Sequence, residues 1–272
     1  NCANINIIIL YPHGRVSDVQ RKQMTTVDSP NVRTVAIDGT FDDCQDLVKA
    51  MFNDAPFREK HNLSAVLLAS TDKGIRLVAT DGYRLAMRDI VGTSAASPDS
   101  FLIPAPALVE LLRLLDMSDE ITIRFNDLDA TFQSPTMTLS TRLINAEYPP
   151  YQTIIPKNNT NTATVNREEL LDALRRTRVL ASEMAPVRVR MSSEGIRLTV
   201  QLTDGSTSVE DLDAQFTGED ITVAFNSEYL ANGVEACASE EINIATSVPN
   251  KPAIVSPVGD DTYIYLLMPQ RL

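Results

Sequence analysis

The sequence predicts an α+β fold in which one kind of domain, built from antiparallel sheets and two helices, occurs twice in tandem. Self-similarity at a fixed offset indicates such repeated units. A shared vocabulary of β-hairpin turns is the alternative explanation, but it does not account for a common order and offset. Three short matches recur in the same order at offsets of 121 to 123 residues: 74–77 with 195–198, 80–82 with 203–205, and 118–123 with 239–244.

Helical periodicity divides the chain in the same way, because each half carries two segments with apolar residues at helical spacing. The third segment begins at Asn166 and the fourth at Asn226, and asparagine caps the free N–H groups of a first helical turn. Gly233 weakens the fourth prediction, since glycine is a poor helix former. The four segments are 41–53, 104–116, 166–181 and 226–238.

Between the helices the apolar pattern changes to period two, which predicts antiparallel strands joined by turns that contain glycine. Two helices cover only one face of such sheets, so the other face stays exposed or meets a neighbour. Residues 4–10 are typical of an isolated strand without a partner sheet, and the polar residues 157–164 of a linker. The alternating segments are 75–79, 121–126, 187–191 and 264–268.

Composition and motifs point away from catalysis. The two histidines, His13 and His61, lie far apart, and the three cysteines (Cys2, Cys44 and Cys237) are widely spaced, so we expect no metal, no disulfide and a reducing, cytoplasmic setting. No nucleotide-binding or hydrolase motif and no membrane-length apolar run occurs. We therefore expect no cofactor and no enzyme. A hydrolase that uses Asp81 or Asp204 beside a hydroxyl is a remote alternative.

Arginines gather locally in an otherwise acidic chain, whose formal net charge is −12. Such a cluster can contact phosphates regardless of base sequence. The alternative is a solvated helix face with ion pairs to Glu168, Glu169 and Asp172. The predicted cluster comprises Arg175, Arg176 and Arg178 of the third helix with Arg188 and Arg190 of the next strand.

Four segments together resemble one family. These are LVATDGYRLA at 77–86, STRLINAEYPPYQTIIP at 140–156, FNSEYLANGVEA at 225–236 and YLLMPQRL at 265–272. They are similar to the bacterial β sliding clamps, the processivity subunits of DNA polymerase III, over residues 35–272. The resemblance implies the DNA-clamp fold and two clamp domains, the family's middle domain at 35–157 and its C-terminal domain at 158–272. Residues 1–34 are either unplaced or the remnant of a first clamp domain, most of which would be absent.

The resemblance implies a homo-oligomeric ring around duplex DNA. It also implies an apolar groove that captures short peptides from the polymerase catalytic subunit, the clamp loader and repair proteins. We expect Met268→Ala with Leu85→Ala to abolish peptide capture and leave folding intact. The chain departs from the family at three positions: Tyr83 stands where histidine is common, Thr153 where arginine is common and Gln270 where methionine is common. These departures bear on which peptides the groove prefers. The implied groove residues are Leu63, Thr80, Gly82, Tyr83, Arg84, Leu85, Pro149, Ile154, Asn250, Pro252, Leu266, Leu267, Met268, Pro269 and Arg271.

By the same resemblance Arg175, Arg176 and Arg178 face DNA, and Val179 with Leu180 contacts the next subunit. A family ring has six domains, so chains of two domains would form it as a trimer. A dimer and a monomeric fragment remain open. The rival hypothesis is a peptide-binding adaptor of clamp fold that does not encircle DNA.

Overall fold

A computed structural model describes most of the chain after residue 64 and two short strands before it. The described residues are 8–10, 33–37, 65–72, 74–91, 100–114, 121–134, 137–180, 186–201 and 205–271. They fall into two compact units, the first containing the described residues up to 79 and 88–148, and the second containing 80–87 and 149–271.

Every strand pair whose register is described runs antiparallel, as the sequence predicts. The strands are β1 Ile8–Leu10, β2 Arg33–Ile37, β3 Ala65–Thr71, β4 Gly74–Thr80, β5 Arg84–Val91, β6 Ser100–Pro104, β7 Ile121–Phe125, β8 Asp129–Gln133, β9 Thr138–Arg142, β10 Asn161–Asn166, β11 Pro186–Ser192, β12 Gly195–Gln201, β13 Thr207–Leu212, β14 Ala214–Thr217, β15 Ile221–Asn226, β16 Glu241–Thr246, β17 Ala253–Pro257 and β18 Tyr263–Leu267.

Three of the four predicted helices lie in the described residues and are confirmed: α1 Ala105–Leu114, α2 Arg167–Leu180 and α3 Ser227–Glu235. Both predicted caps form, because Asn166 Oδ1 accepts from the Glu169 backbone N–H at 3.1 Å and Asn226 Oδ1 from that of Tyr229 at 3.0 Å. The predicted helix at 41–53 lies outside the described residues.

The first unit holds a five-stranded sheet in the order β1-β9-β8-β7-β2 and a second sheet containing β4, β3 and β6. Strand β1 pairs with β9, with Ile8 opposite Ser140. The prediction that residues 4–10 lack a partner sheet is therefore wrong for 8–10. The partner strand lies far along the chain, where a local pattern cannot reveal it.

The second unit places α2 and α3 side by side over two sheets. One sheet has the order β14-β10-β16-β17-β18, followed by the opening residues of β5, and the other has the order β13-β12-β11-β15. The apolar stripe of α2 is buried: Leu170 and Thr177 are 0% exposed and Leu174 is 1% exposed. Residues 161–164 of the predicted linker instead begin β10, because Ala163 and Val165 supply a buried face to a polar segment.

Candidate functional site

A tight turn at residues 80–84 is fixed almost entirely by its own polar groups. The Thr80 hydroxyl donates to the Arg84 carbonyl at 2.8 Å, and Asp81 Oδ1 accepts from the backbone N–H groups of Tyr83 at 2.9 Å and Arg84 at 3.0 Å. Gly82 has a φ of +88°, a left-handed conformation that side chains with a Cβ rarely adopt. This geometry leaves Tyr83 50% exposed and turns Arg84 inward, to 2% exposure.

The buried Arg84 guanidinium is held on several sides. Its Nε donates to Asp81 Oδ2 at 3.1 Å, and its Cζ lies 4.2 Å from the centroid of the Tyr229 ring. In the amide orientation that satisfies both polar atoms of Asn232, the Asn232 oxygen accepts from Arg84 Nη1 at 2.9 Å. Burial alone lowers the pKa of Arg84, but interactions with the Tyr265 hydroxyl and the Asp81 carboxylate outweigh it and raise the pKa. Arg84 is therefore a permanent buried cation.

The C-terminal segment lies beside this turn. The Met268 backbone N–H donates to the Tyr83 carbonyl at 2.9 Å, and the Gln270 N–H donates to the Ala224 carbonyl at 2.8 Å. Pairing of Ala253 with Leu267 brings the turn between β16 and β17, which contains Asn250 and Pro252, to the same end of the sheet. The C-terminal segment is thus docked through residue 270.

Except for Leu63, all the predicted groove residues fall within the second unit; Leu63 lies outside the described residues. Of the exposed members, Tyr83, Ile154 and Met268 are apolar or aromatic, with 50%, 44% and 39% exposure. By contrast Leu85 is fully buried, so replacing it with alanine would destabilise the fold. The expectation that Leu85→Ala spares folding is wrong. Leu266 and Leu267, 1% exposed each, likewise form core and can only support a groove from beneath.

Residues that the sequence analysis did not single out complete the surroundings of Arg84. Tyr229 stacks on its guanidinium, and the fully buried Tyr265 donates its hydroxyl to the Tyr229 carbonyl at 2.8 Å. Burial raises the pKa of Tyr265, so it stays neutral. Both tyrosines lie within segments that carry the family resemblance, which is the signal that could have identified them.

The predicted basic cluster is divided between two faces of a sheet. On α2, Arg175 Nη1 donates to Asp172 Oδ1 at 3.0 Å, and Arg176 Nη2 donates to Glu210 Oε2 at 2.8 Å. This Arg176 hydrogen bond lowers the pKa of Glu210. Arg175 and Arg176 are exposed, as expected both for contact with phosphates and for a solvated helix face with ion pairs. The backbone of Arg178, Val179 and Leu180 belongs to α2, but their side chains lie outside the described residues.

Arg188 and Arg190 project from the opposite side of the four-stranded sheet. Glu210, which binds α2, pairs across the strands with the buried Leu198, and Leu198 pairs with the buried Val189. Since successive strand residues alternate between faces, Arg188 and Arg190 point away from α2. The prediction of one cluster of five arginines is wrong for these two.

Asp81 is committed to structure. One carboxylate oxygen receives two backbone N–H groups and the other receives Arg84 Nε, so it is not a free base for the hydrolase alternative. Asp204 lies outside the described residues. Within the described part of the chain, no group of three or more His, Cys, Asp or Glu side chains is placed to hold a metal ion. No helix there is long and apolar enough to cross a membrane.

Comparison with known proteins identifies relatives for both units. Residues 49–150 match the DNA polymerase III beta subunit, central domain, and residues 152–271 match its C-terminal domain. The beta sliding clamp of Vibrio cholerae is 26% identical over 226 residues, covering 82% of this chain and 62% of that protein. That of Synechococcus elongatus is 33% identical over 221 residues, covering 78% and 59%. The chain thus spans less than two thirds of the length of these curated relatives.

Solved structures agree in fold. The sliding clamp of Pseudomonas aeruginosa superposes with a TM-score of 0.82 at 22% identity and covers 90% of this chain and 68% of its own. The DNA polymerase III beta subunit of Thermotoga maritima gives a TM-score of 0.79 at 25% identity, covering 96% and 69%. Two consecutive domain matches, the similarity to curated clamps and the shared clamp fold lead to one conclusion: the chain belongs to the family of DNA polymerase III beta subunits.

Proposed function

We propose that the chain acts as a DNA sliding clamp, a non-enzymatic processivity factor that encircles duplex DNA and tethers the replicative polymerase through a peptide-binding groove. The observation that carries the proposal is the docking of the 80–84 turn against the C-terminal segment. This contact joins a buried cation, Arg84, to exposed apolar side chains, Tyr83 and Met268. Action on replicating DNA would place the chain in the cytoplasm.

The groove suits a short extended peptide. Exposed apolar side chains offer area that a peptide can cover, while a few polar groups at the edge can orient its backbone. Tyr83 and Met268 lie on adjoining segments, and their 50% and 39% exposure leaves surface for apolar side chains of a partner. The partners proposed are the catalytic subunit of DNA polymerase III, the clamp loader and repair proteins. The proposed groove comprises the fifteen residues implied by the family resemblance, with Tyr229 added.

The exposed arginines of α2 would face the duplex. Arg175 and Arg176 each already bind a carboxylate, so a phosphate would replace one anion by another. Such an exchange gains little free energy, and weak contact that ignores base sequence is what sliding requires. Arg178 is proposed to share this role.

A free sheet edge supports assembly. The internal repeat relates β13 to β5. The opening residues of β5 lie next to β18 in the second unit, whereas β13 lies at the edge of its sheet with no further neighbour among the described strands. An unpaired edge is a template for another chain. The Arg176–Glu210 pair ties α2 to β13, so Val179 and Leu180 at the end of α2 would join this edge in the subunit contact.

The proposed domain division is 35–157 and 158–272, with residues 1–34 assigned to a preceding clamp domain. The pairing of β1 with β9 supports this division. The internal repeat relates β9 to β18, and β18 is likewise next to a strand from earlier in the chain, β5. A ring of six domains would take three chains if each chain contributes only the domains at 35–157 and 158–272.

Peptide titration tests the groove. Short overlapping peptides from the cognate polymerase catalytic subunit are titrated into the chain by calorimetry, and the tightest is retained. Tyr83→Ala with Met268→Ala should weaken its binding ~30-fold, because each half-exposed side chain contributes about 1 kcal/mol when covered. The control is Val258→Ala, which removes an equally exposed side chain (40%) at the opposite end of β17. Equal affinity of the double variant and the wild type would reject the groove.

Native mass measured at several concentrations tests assembly. A trimeric ring predicts three times 29.9 kDa, 89.7 kDa. A mass of 29.9 kDa at every concentration would reject ring closure by this chain and favour the rival hypothesis of a peptide-binding adaptor. The pairing of Arg175 and Arg176 with carboxylates also favours that rival.

A further inference from the structure

Gly233 occupies an unusual place in α3. It is buried within the helix, and a Cβ at this position would lie 2.8 Å from Tyr265 Cγ and nearer still to Cδ1 and Cε1. Real Cβ atoms do not approach a ring so closely. Glycine normally weakens a helix, so its presence here is explained by the close approach of β18.

The ring that rests on Gly233 extends toward the start of the same helix. The hydroxyl of Tyr265 donates to the Tyr229 carbonyl at 2.8 Å, four residues before Gly233. The Tyr265 side chain therefore lies along one turn of α3, with its ring against Gly233 and its hydroxyl at Tyr229. Tyr265 is 0% exposed, so the ring is enclosed by the core on its remaining sides.

Tyr229 connects the Tyr265 side chain to Arg84. The Tyr229 carbonyl accepts from the Tyr265 hydroxyl at 2.8 Å, and the Tyr229 ring lies 4.2 Å from the Arg84 Cζ. Displacement of the Tyr265 ring would therefore disturb Tyr229, whose ring packs against the Arg84 guanidinium.

We propose that Gly233 is a positioning residue for the peptide groove, which fixes Arg84 by admitting the Tyr265 ring against α3. The inference rests on the proposed function for its effect on peptide capture, but its structural part concerns Arg84 alone. A side chain at position 233 would move the Tyr265 hydroxyl, and the guanidinium would lose its place at the turn.

Three variants of the whole chain test this inference. Gly233→Ala adds the obstructing Cβ, Tyr265→Phe keeps the ring and removes only the hydroxyl, and Val189→Ala is a control that destabilises the core of the four-stranded sheet. Two properties are measured: affinity for the retained polymerase peptide, and the NMR signal and hydrogen-exchange rate of the Arg84 Nε–H, assigned by its loss in Arg84→Lys. A purely structural role in folding would not move the Arg84 signal selectively.

We expect Gly233→Ala and Tyr265→Phe each to weaken peptide binding about tenfold or more, to shift the Arg84 signal and to accelerate its exchange. Val189→Ala should lower the melting temperature and leave both properties unchanged. A wild-type Arg84 signal in Gly233→Ala overturns the inference. If Gly233→Ala fails to fold, Tyr265→Phe decides in the same way. If the wild type binds no peptide, the proposed function fails, while the Arg84 signal still tests the inference.

Discussion

Replacing Asp81 by asparagine should lower the free energy of unfolding, because the Asp81 carboxylate stabilises the buried Arg84 cation. The Arg84 side chain is 1% exposed and that of Asp81 15% exposed, with Nε and Oδ2 3.1 Å apart. Removal of one partner from a buried ion pair costs about 3–5 kcal/mol. Arg84 keeps the Asn232 oxygen and the Tyr229 ring, so we expect a loss near the lower end, about 3 kcal/mol.

The assay is urea unfolding of Asp81→Asn and Asp81→Ala. Asparagine keeps the oxygen that accepts from the Tyr83 and Arg84 backbone N–H groups, whereas alanine removes it and should cost about 1 kcal/mol more per hydrogen bond. The control is Asp211→Asn, which breaks the exposed pair with Arg197 and should leave the free energy of unfolding nearly unchanged. If Asp81→Asn is as stable as the wild type, the reasoning about the buried pair is refuted.

Three further predictions follow from the same contacts. Gly82 and Gly259 have φ of +88° and +83°, with open space around both, so alanine at either position should lower the unfolding free energy by about 1 kcal/mol. Only Gly82→Ala should also weaken peptide binding. Equal peptide affinities of the two variants would contradict this prediction. Arg175→Ala with Arg176→Ala should reduce the slope of log K against log salt for duplex DNA by about 0.9 per lost phosphate contact, and an unchanged slope would exclude these contacts. Arg176 lowers the pKa of Glu210 in the folded state. The stability from this pair should therefore be complete above the ordinary glutamate pKa of about 4.3 and should be lost as the pH falls through the lowered pKa. If the pKa of Glu210, followed by NMR, does not rise in Arg176→Ala, the pairing is disproved.

Local patterns in the sequence predict much of the fold. The asparagine caps of α2 and α3 and the alternating strand β11 depend on near neighbours, and the structure confirms them. The strand β18 also forms where predicted, but Tyr265, Leu266 and Leu267 are all buried, so its predicted alternation is wrong. The partner of β1 is β9, far along the chain, and no local signal specifies that pairing. Residues 161–164 look polar enough for a linker, yet two small apolar side chains suffice for a buried strand face.

Features of the candidate site are less accessible to sequence reasoning. The hairpin turn and the C-terminal segment are identifiable from family resemblance, but the packing of Tyr229 and Tyr265 around Arg84 joins three distant segments. Charge alone groups Arg188 with the α2 arginines, although the alternation of β11 already places it on the opposite face. Gly233 reads as a weak point in a helix until the Tyr265 ring is seen against it.

Retention on DNA of defined topology tests the central claim most directly. The chain is loaded onto a closed circular duplex with the cognate clamp loader and ATP, and half of the sample is then cut once with a restriction enzyme before gel filtration. A clamp that encircles DNA without gripping it should remain on the closed circle and slide off the ends of the linear duplex. Equal retention on both forms, or retention on neither, would contradict encirclement.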